Sequence, residues 1–329
     1  LLTFTQIPCQ LSGKDQGSRI KSENVGDILS VTYLRAITPD IFGRLFRSGI
    51  RSTAWGREGR NMCRIIAIAN QKGGVGKTTT TINLGVGLVR LGKRVLLVDA
   101  DPQGHLTLGL GFPKNVERTL KTMLEAIIMD CPLSPETAIL KHQEGVDLIP
   151  SNKLMAGLDI TLFSVENREN ILSNYLDSLK ERYDYVLIDC MPSLGMLTVN
   201  ALHAADSVII PVQPQYYAAD GLSELLKAIY VIRQRTNPKM DIEGILYTMD
   251  TPRFNNSKRN KEAIRKTYGS HIPIFKESIP RAEAIAETAS EGVSIFFCNE
   301  RCKGAVCYDS IAREVISHEK IQRNTADIL

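Results

Sequence analysis

Residues Gln71-Lys72-Gly73-Gly74-Val75-Gly76-Lys77-Thr78-Thr79-Thr80 gather three glycines, two lysines and three hydroxyls into ten positions. Glycine, lacking Cβ, lets a backbone wrap closely around an anion and aim successive N–H groups at it. The string follows an apolar run at 64–70 and opens a helix at about Lys77, so the positive end of that helix faces the same anion. Lys77 is placed to neutralise β- and γ-phosphates, and the Thr78 hydroxyl to ligate Mg²⁺. The pattern G-x-x-x-x-G-K-[ST] is not met in full. Gln71 stands where its first glycine would fall, and Lys72 follows as a second cation beside the phosphates. A generic glycine-rich turn is the bland alternative; strand, glycines, Gly-Lys-Thr and helix coinciding in one place argue against it.

Two further strings end apolar runs in carboxylates. One is Val98-Asp99-Ala100-Asp101-Pro102-Gln103-Gly104, and the other is Tyr185-Val186-Leu187-Ile188-Asp189. Ligands of open α/β sheets sit at the carboxyl ends of strands. Acids there hold Mg²⁺ or its waters, or orient an attacking water. Taken alone, Asp-Pro followed by Gly is a turn signal, and a lone aspartate closing a buried strand is a common accident. The phosphate loop upstream gives both acids a use.

Such residues act together only if the elements between them bring them to one edge. Strand-like runs lie at 64–70, 94–99, 146–150, 185–189, 207–212, 244–249 and 272–275, rich in Ile, Val and Leu and mostly without alternation, as in strands buried on both faces. Helix-period segments fall at about 77–91, 168–182, 195–204, 217–235, 257–268 and 308–319. The last carries Tyr308, Ile311, Ala312, Val315 and Ile316 as one apolar stripe. This alternation predicts an α/β fold: a mainly parallel, doubly wound sheet with helices on both faces. The phosphate loop after its first strand would make it of the P-loop NTPase type, with a deviant loop.

Composition narrows the class. The 329 residues are 43% apolar and 23% charged, which excludes wholesale disorder and fibrous repeats. No apolar run approaches the ~18 residues of a membrane span, and no basic-then-apolar leader pattern is seen. The seven cysteines are an odd, scattered set, which points to a reducing compartment. The net charge of +4 is local: residues 1–61 hold nine Lys/Arg against five Asp/Glu, and the remainder is balanced at 31 each. Overall basicity is therefore weak support for nucleic-acid binding by the main body. Residues 1–61 also contain no methionine, have one short helical stretch near 41–46, and precede Met62. Three readings stay open for them: a disordered basic arm, a small accessory element, or sequence upstream of a true start at Met62. The expected division is a basic segment at 1–61 and a functional domain at 62–329.

With Lys72 preceding Gly73-Gly74-Val75-Gly76-Lys77-Thr78, the loop resembles that of the deviant-loop ATPases of the ParA/MinD group, which reads KGGxGK[ST]. Asp99-Ala100-Asp101-Pro102-Gln103-Gly104 is similar to that family's second motif. Ile188-Asp189-Cys190-Met191-Pro192-Ser193-Leu194-Gly195 is similar to its IDCPPSLG, with Met191 replacing a proline. The string from Pro211 to Leu222 resembles PVQxEYxAxxGL, with Gln215 where Glu is common. Thr248-Met249, Arg253 and Ile279-Pro280-Arg281 match stretches that line the nucleotide base and the DNA-facing surface. The likeness covers about residues 62–320 and is of the ParA/Soj type, without the N-terminal helix-turn-helix of some plasmid relatives.

The resemblance implies ATP and Mg²⁺ as cofactors. Lys72, Gly73, Gly74, Val75, Gly76, Lys77, Thr78 and Thr79 would surround the phosphates, and Met249 and Pro280 the base. Thr78, Asp99 and Asp189 would serve the metal. Lys72 would reach across a homodimer interface to the partner's ATP, Asp99 would partner Lys72, and Asp101 would orient the attacking water. The ATP-bound dimer would bind DNA non-specifically, and a ParB-like centromere-binding protein would stimulate hydrolysis, in the cytoplasm at the nucleoid. Arg253, Lys258, Arg259, Arg265, Lys266 and Arg281 are the DNA-facing candidates. Arg253, Lys258, Arg259, Lys261, Arg265 and Lys266 crowd one 14-residue stretch, which suits salt-dependent phosphate binding, against the alternative of a solvated helix face. Ala284 stands where the family often has a second arginine. Two rivals share the fold: a MinD-like positioning ATPase and a metabolic ATPase. The tail 321–329 has one basic residue and little apolar surface, so no membrane partner is expected. Cys298, Cys302 and Cys307 lack paired zinc-ligand spacing and read as incidental.

Overall fold

A computed structural model of the chain describes residues 63–131, 133–215 and 218–326, the side chains of 218–220 and 319–326 excepted. The segment 1–61, the helical stretch near 41–46, Met62 and the side chains of the tail 321–329 lie outside the described residues. The apolar runs become strands β1 (Arg64–Ile68), β2 (Val95–Ala100), β3 (Leu140–Lys141), β4 (Asp147–Ile149), β5 (Tyr185–Cys190), β6 (Ser207–Val212) and β7 (Asp241–Tyr247). They form one sheet in the order β3-β4-β2-β5-β1-β6-β7. Every pairing is parallel except β3 against β4. All positions of β1, β2, β5 and β6 are buried, which is why their sequences show no polar alternation.

The helices are α1 (Lys77–Arg90), α2 (His105–Gly109), α3 (Leu120–Ile128), α4 (Met155–Leu162), α5 (Ile171–Asp177), α6 (Met196–Ala204), α7 (Ala218–Arg235), α8 (Asn255–Tyr268), α9 (Glu283–Glu291), α10 (Ile295–Asn299) and α11 (Lys303–Ala326). Alternate strand side chains feed two cores. One gathers Ile65, Val98, Val186, Ile188 and Val208 with α3, α5, α6 and α7. The other gathers Ile66, Leu97, Leu187 and Ile209 with α1, α2 and α11. The apolar stripe of the last helix is what seats α11: Tyr308, Ile311, Ala312 and Val315 are all buried in that second core. The chain is thus an α/β protein with helices on both faces of a mostly parallel sheet. No described helix is long and apolar enough to cross a membrane.

Several boundaries differ from expectation. Residues 272–275 do not form a strand; they make one parallel bridge, Ile274 to Ile245. Pro273 has no N–H to donate, so the ladder cannot continue through it. The helix expected over 168–182 is a 3₁₀ turn at Arg168–Asn170 followed by α5, which ends at Asp177. Helix α9 has only Ile285 and Thr288 buried, too sparse a stripe to show in the sequence.

The amino ends of the strands are tied by one buried cluster. Arg64 pairs with Glu243, and its Nη1 donates to the Val315 carbonyl at 3.3 Å. Ser207 Oγ donates to Glu243 at 2.9 Å, and His318 Nδ1 lies 2.9 Å from the same carboxylate. Burial favours a raised Glu243 pKa, but His318, Arg64 and Ser207 together hold it below the usual carboxylate range. The bond to Glu243 raises His318 against the opposing effect of burial. A histidine raised in the folded state contributes fully below its unfolded value of about 6.5, and that contribution is lost as pH rises through the folded value. His318→Gln is therefore expected to lower the melting temperature more at about pH 6 than at about pH 9. Thermal melts of both proteins across that range test it; equal losses at both ends would mean that His318 acts through packing alone.

Candidate nucleotide-binding site

The phosphate loop starts where β1 ends. Asn70 Nδ2 donates to the Pro211 carbonyl at 2.7 Å, and its Oδ1 accepts from the Lys72 amide at 2.9 Å, which turns the chain out of the sheet. Gly74 and Gly76 then take φ of 69° and 84°, the left-handed region that favours glycine. No atom lies within 4 Å of where a Cβ would sit on Gly73 or Gly74, so the cradle is open on that side. Val75 is buried, and Thr248 Oγ1 donates to its carbonyl at 2.7 Å, clamping the loop to the chain after β7. Helix α1 begins at Lys77 with no side-chain cap and no acidic residue in its first turn. Its first amides are left for an anion.

Lys77 is 8% exposed, and its Nζ donates to the Lys72 carbonyl at 3.3 Å. Burial lowers its pKa despite the nearby acids Asp189 and Asp101. Thr78 Oγ1 donates to Asp189 Oδ2 at 2.6 Å. Asp189 is 1% exposed, and its Oδ1 is buried without a hydrogen-bond partner. Asp99 sits opposite Asp189 in the β2–β5 register. Burial pushes Asp189 up to about 8, with Asp99 adding to the effect, and pushes Asp99 up to about 7. A buried carboxylate with an unused oxygen beside a second acid is a place where a hard cation would be stabilised. Asp101 lies on the same edge. Its Oδ1 accepts from the Gln103 amide at 2.8 Å, and its Oδ2 has no partner among the described residues. Thr79, half-buried in the first turn of α1, completes the loop.

One expected contact is absent. Asp99 does not partner Lys72. Its Oδ2 accepts from the Thr107 amide at 2.8 Å and from Thr107 Oγ1 at 2.7 Å, and its Oδ1 from the Asp101 amide at 3.2 Å. Fully buried and already bonded, it cannot meet a lysine at the surface. Lys72 Nζ instead donates to Gln215 Oε1 at 3.0 Å. Asp250 and Pro280 form a parallel bridge, so Met249 lies one residue along the chain from that pairing. Met249 has φ of 48°, a conformation that costs a non-glycine residue about 1 kcal/mol or more. Thr107 and Thr248 were not singled out for these contacts by sequence; a threonine after a turn carries no distinguishing signal.

The AAA domain family matches residues 63–242. The sporulation initiation inhibitor protein Soj of Bacillus subtilis (strain 168) is 44% identical over 260 residues, covering 78% of this chain and 100% of Soj. The chromosome partitioning protein ParA of Caulobacter vibrioides (strain NA1000 / CB15N) is 39% identical over 262 residues, 79% of this chain and 96% of that protein. The chain belongs to the ParA/Soj family. Among solved structures, cobyrinic acid a,c-diamide synthase from Mycobacterium smegmatis, with bound ATP analogue and magnesium, superposes with a TM-score of 0.69 at 35% identity, covering 78% of this chain and 96% of that one.

The basic surface of this ParA/Soj family member is carried mainly by α8, which buries only Ser257 and Ile264. Arg253, Lys258, Arg259, Arg265, Lys266 and Arg281 are exposed and have no acidic partner among the described residues. Lys261 differs: it is half-buried and its Nζ is 2.6 Å from Asp250 Oδ2. Among the described residues, no group of three or more His, Cys, Asp or Glu is arranged to hold an ion.

An aspartate raised in the folded state costs stability increasingly as pH climbs from its unfolded value near 4 to its folded value, and the cost is constant above that. Asp189→Asn keeps an acceptor for Thr78 and removes the buried charge. Its melting temperature without ligand is expected to exceed the wild type's at about pH 8, with the gap closing toward about pH 4. A variant less stable than wild type at about pH 8 would show that the Thr78 bond to a charged acceptor outweighs the cost of burial.

Proposed function

We propose that residues 62–329 are a partition ATPase, a switch that binds ATP and Mg²⁺, closes as a homodimer, and then binds duplex DNA without sequence preference. Hydrolysis, accelerated by a ParB-like partner at a centromere site, releases it, so the chain would act in the cytoplasm at the nucleoid. The observation that carries the reading is the orphaned Asp189 Oδ1, buried beside Thr78 at the mouth of an uncapped helix. The donor set fits a hard cation next to a polyphosphate. The 39% identity with the chromosome partitioning protein ParA over 96% of that protein supports partition as the output.

Lys77 and the first amides of α1 would hold the β- and γ-phosphates, within the cradle of Gly73, Gly74 and Gly76. Thr78 and Asp189 would hold Mg²⁺, which when bound neutralises charge on the phosphate oxygens. Asp99, its oxygens taken by Thr107 and Asp101, would contribute its charge from beside Asp189. Asp101, with Oδ2 open, would orient the attacking water. Lys72 would exchange the Gln215 amide for the phosphates of the partner subunit. Met249 and Pro280 would flank the base.

A metabolic ATPase of the same fold is the second reading, favoured by the likeness to a structure named as a diamide synthase. It would turn over a small substrate and show no DNA affinity. Binding of duplex DNA by the purified full chain separates the two, measured without nucleotide, with ADP and with ATP, over a salt titration. The expected result is ATP-dependent binding that weakens steeply with salt, with a log–log slope near −0.9 per phosphate contact, and that Lys77→Ala abolishes. Equal DNA affinity in all three nucleotide states, or none at any salt, would overturn the partition reading.

A further inference from the structure

Between the phosphate loop and the basic helix lies a carboxylate that neither surface uses directly. Asp250 is 3% exposed. Its Oδ1 accepts from Ser257 Oγ at 2.7 Å, and its Oδ2 accepts from Lys261 Nζ at 2.6 Å and Ser278 Oγ at 2.8 Å. Ser257 and Lys261 belong to the first two turns of α8, while Ser278 lies on the segment leading to Pro280 and Arg281. The Asp250 backbone repeats the link: its amide donates to the Ile279 carbonyl at 2.9 Å, and its carbonyl accepts from the Arg281 amide at 3.1 Å. Two residues upstream, Thr248 holds the Val75 carbonyl of the phosphate loop. Met249, left-handed at φ 48°, joins the two.

A second tether runs parallel to this one. Asn260 Nδ2 of α8 donates to the Pro214 carbonyl at 3.3 Å, and the next residue, Gln215, receives Lys72. Both tethers connect the loop to the same helix. A buried charge is tolerated only when it is fully hydrogen-bonded, and donors drawn from two separate segments fix their relative position sharply. A strained residue between two anchored neighbours marks a segment held in place by its surroundings.

We propose that Asp250 is a positioning residue that couples the state of the phosphate loop to the placement of α8 and Arg281 for DNA. This rests on the partition reading above. A plain counter-ion role makes the opposite prediction for one substitution, because Asp250 neutralises Lys261 beneath a surface meant for an anion. Asp250→Asn would then free a cation and raise DNA affinity in every nucleotide state. Under coupling, the same change erases the difference between states.

The quantity to measure is the ratio of duplex DNA affinity with ATP to that without nucleotide, on the full chain, alongside the affinity for a fluorescent ATP analogue. Links between sites are commonly worth roughly 5–150-fold. With wild type showing such a ratio, Asp250→Asn is expected to bring it to about one while ATP-analogue affinity stays within about twofold. Lys261→Met is expected to do the same, and Lys261→Arg, which keeps charge and bond, to restore the ratio. Should Asp250→Asn fail to fold, the Lys261 pair decides alone. The proposal is overturned if the ratio survives in Asp250→Asn or Lys261→Met. It is equally overturned if ATP-analogue binding is lost together with the ratio, which would mark Asp250 as merely structural. A wild-type ratio near one would overturn the partition reading itself, and this inference with it.

Discussion

The constraint on which the nucleotide end depends is the burial of two carboxylates side by side. Asp99 and Asp189 share a register position on β2 and β5, and both are withdrawn from water. Desolvation alone would make this untenable for two full charges. The fold answers for each differently. Asp99 is satisfied by Thr107 and by the Asp101 amide, so it is part of the framework. Asp189 is satisfied on one oxygen only, by Thr78. That asymmetry separates a structural acid from an acid held in reserve, and it explains why the phosphate loop, β2 and β5 must be mutually fixed before any ligand arrives.

Fixing them is the task of the opposite end of the sheet. The cluster of Arg64, Ser207, Glu243, Val315 and His318 joins β1, β6, β7 and α11 where no ligand is expected. There every buried charge has a partner, and the apolar stripe of α11 closes over the strands. A sheet clamped at its amino ends can leave polar groups unsatisfied at its carboxyl ends, where binding energy would later compensate for them. The same division shows in the helices: α1 offers uncapped amides at the ligand end, whereas its body is almost wholly buried.

How much of this was legible depended on what each residue must satisfy. Runs of Ile, Val and Leu announced the central strands, because burial on both faces leaves no other composition. The loop was legible because glycine, lysine and threonine each have a distinct chemical reason to be there. The stripe at 308–316 was legible because it repeats at helical spacing. What stayed hidden rests on contacts distant in sequence. Nothing at Thr107 or Thr248 says which carboxylate or carbonyl it will meet. Lys261 is indistinguishable in sequence from Lys258 and Arg265, yet it alone among them turns inward to a buried acid. The resemblance pairs Asp99 with Lys72, but the fold gives one of its oxygens to Thr107 of α2 and the other to the Asp101 amide, and a fully buried strand end does not meet a lysine at the surface. The segment at 272–275 had strand composition but carries Pro273, and one missing donor limited it to a bridge.

The Lys72–Gln215 contact joins these themes. An ion pair with the Glu common at this position would hold the lysine by charge as well as by geometry. The amide of Gln215 holds it by a neutral acceptor on an exposed surface, an interaction of about 1 kcal/mol or less. Phosphate oxygens attract an ammonium far more strongly than an amide does. Under the proposed function, Gln215 would therefore hold Lys72 without competing with phosphate for it. The loop that carries Gln215 is also bonded through Pro214 to α8, so departure of the lysine would relieve a tether on the basic helix as well. In the homodimer proposed above, a weak acceptor at this point would let one side chain be positioned in the single subunit and still leave it for the partner's phosphates.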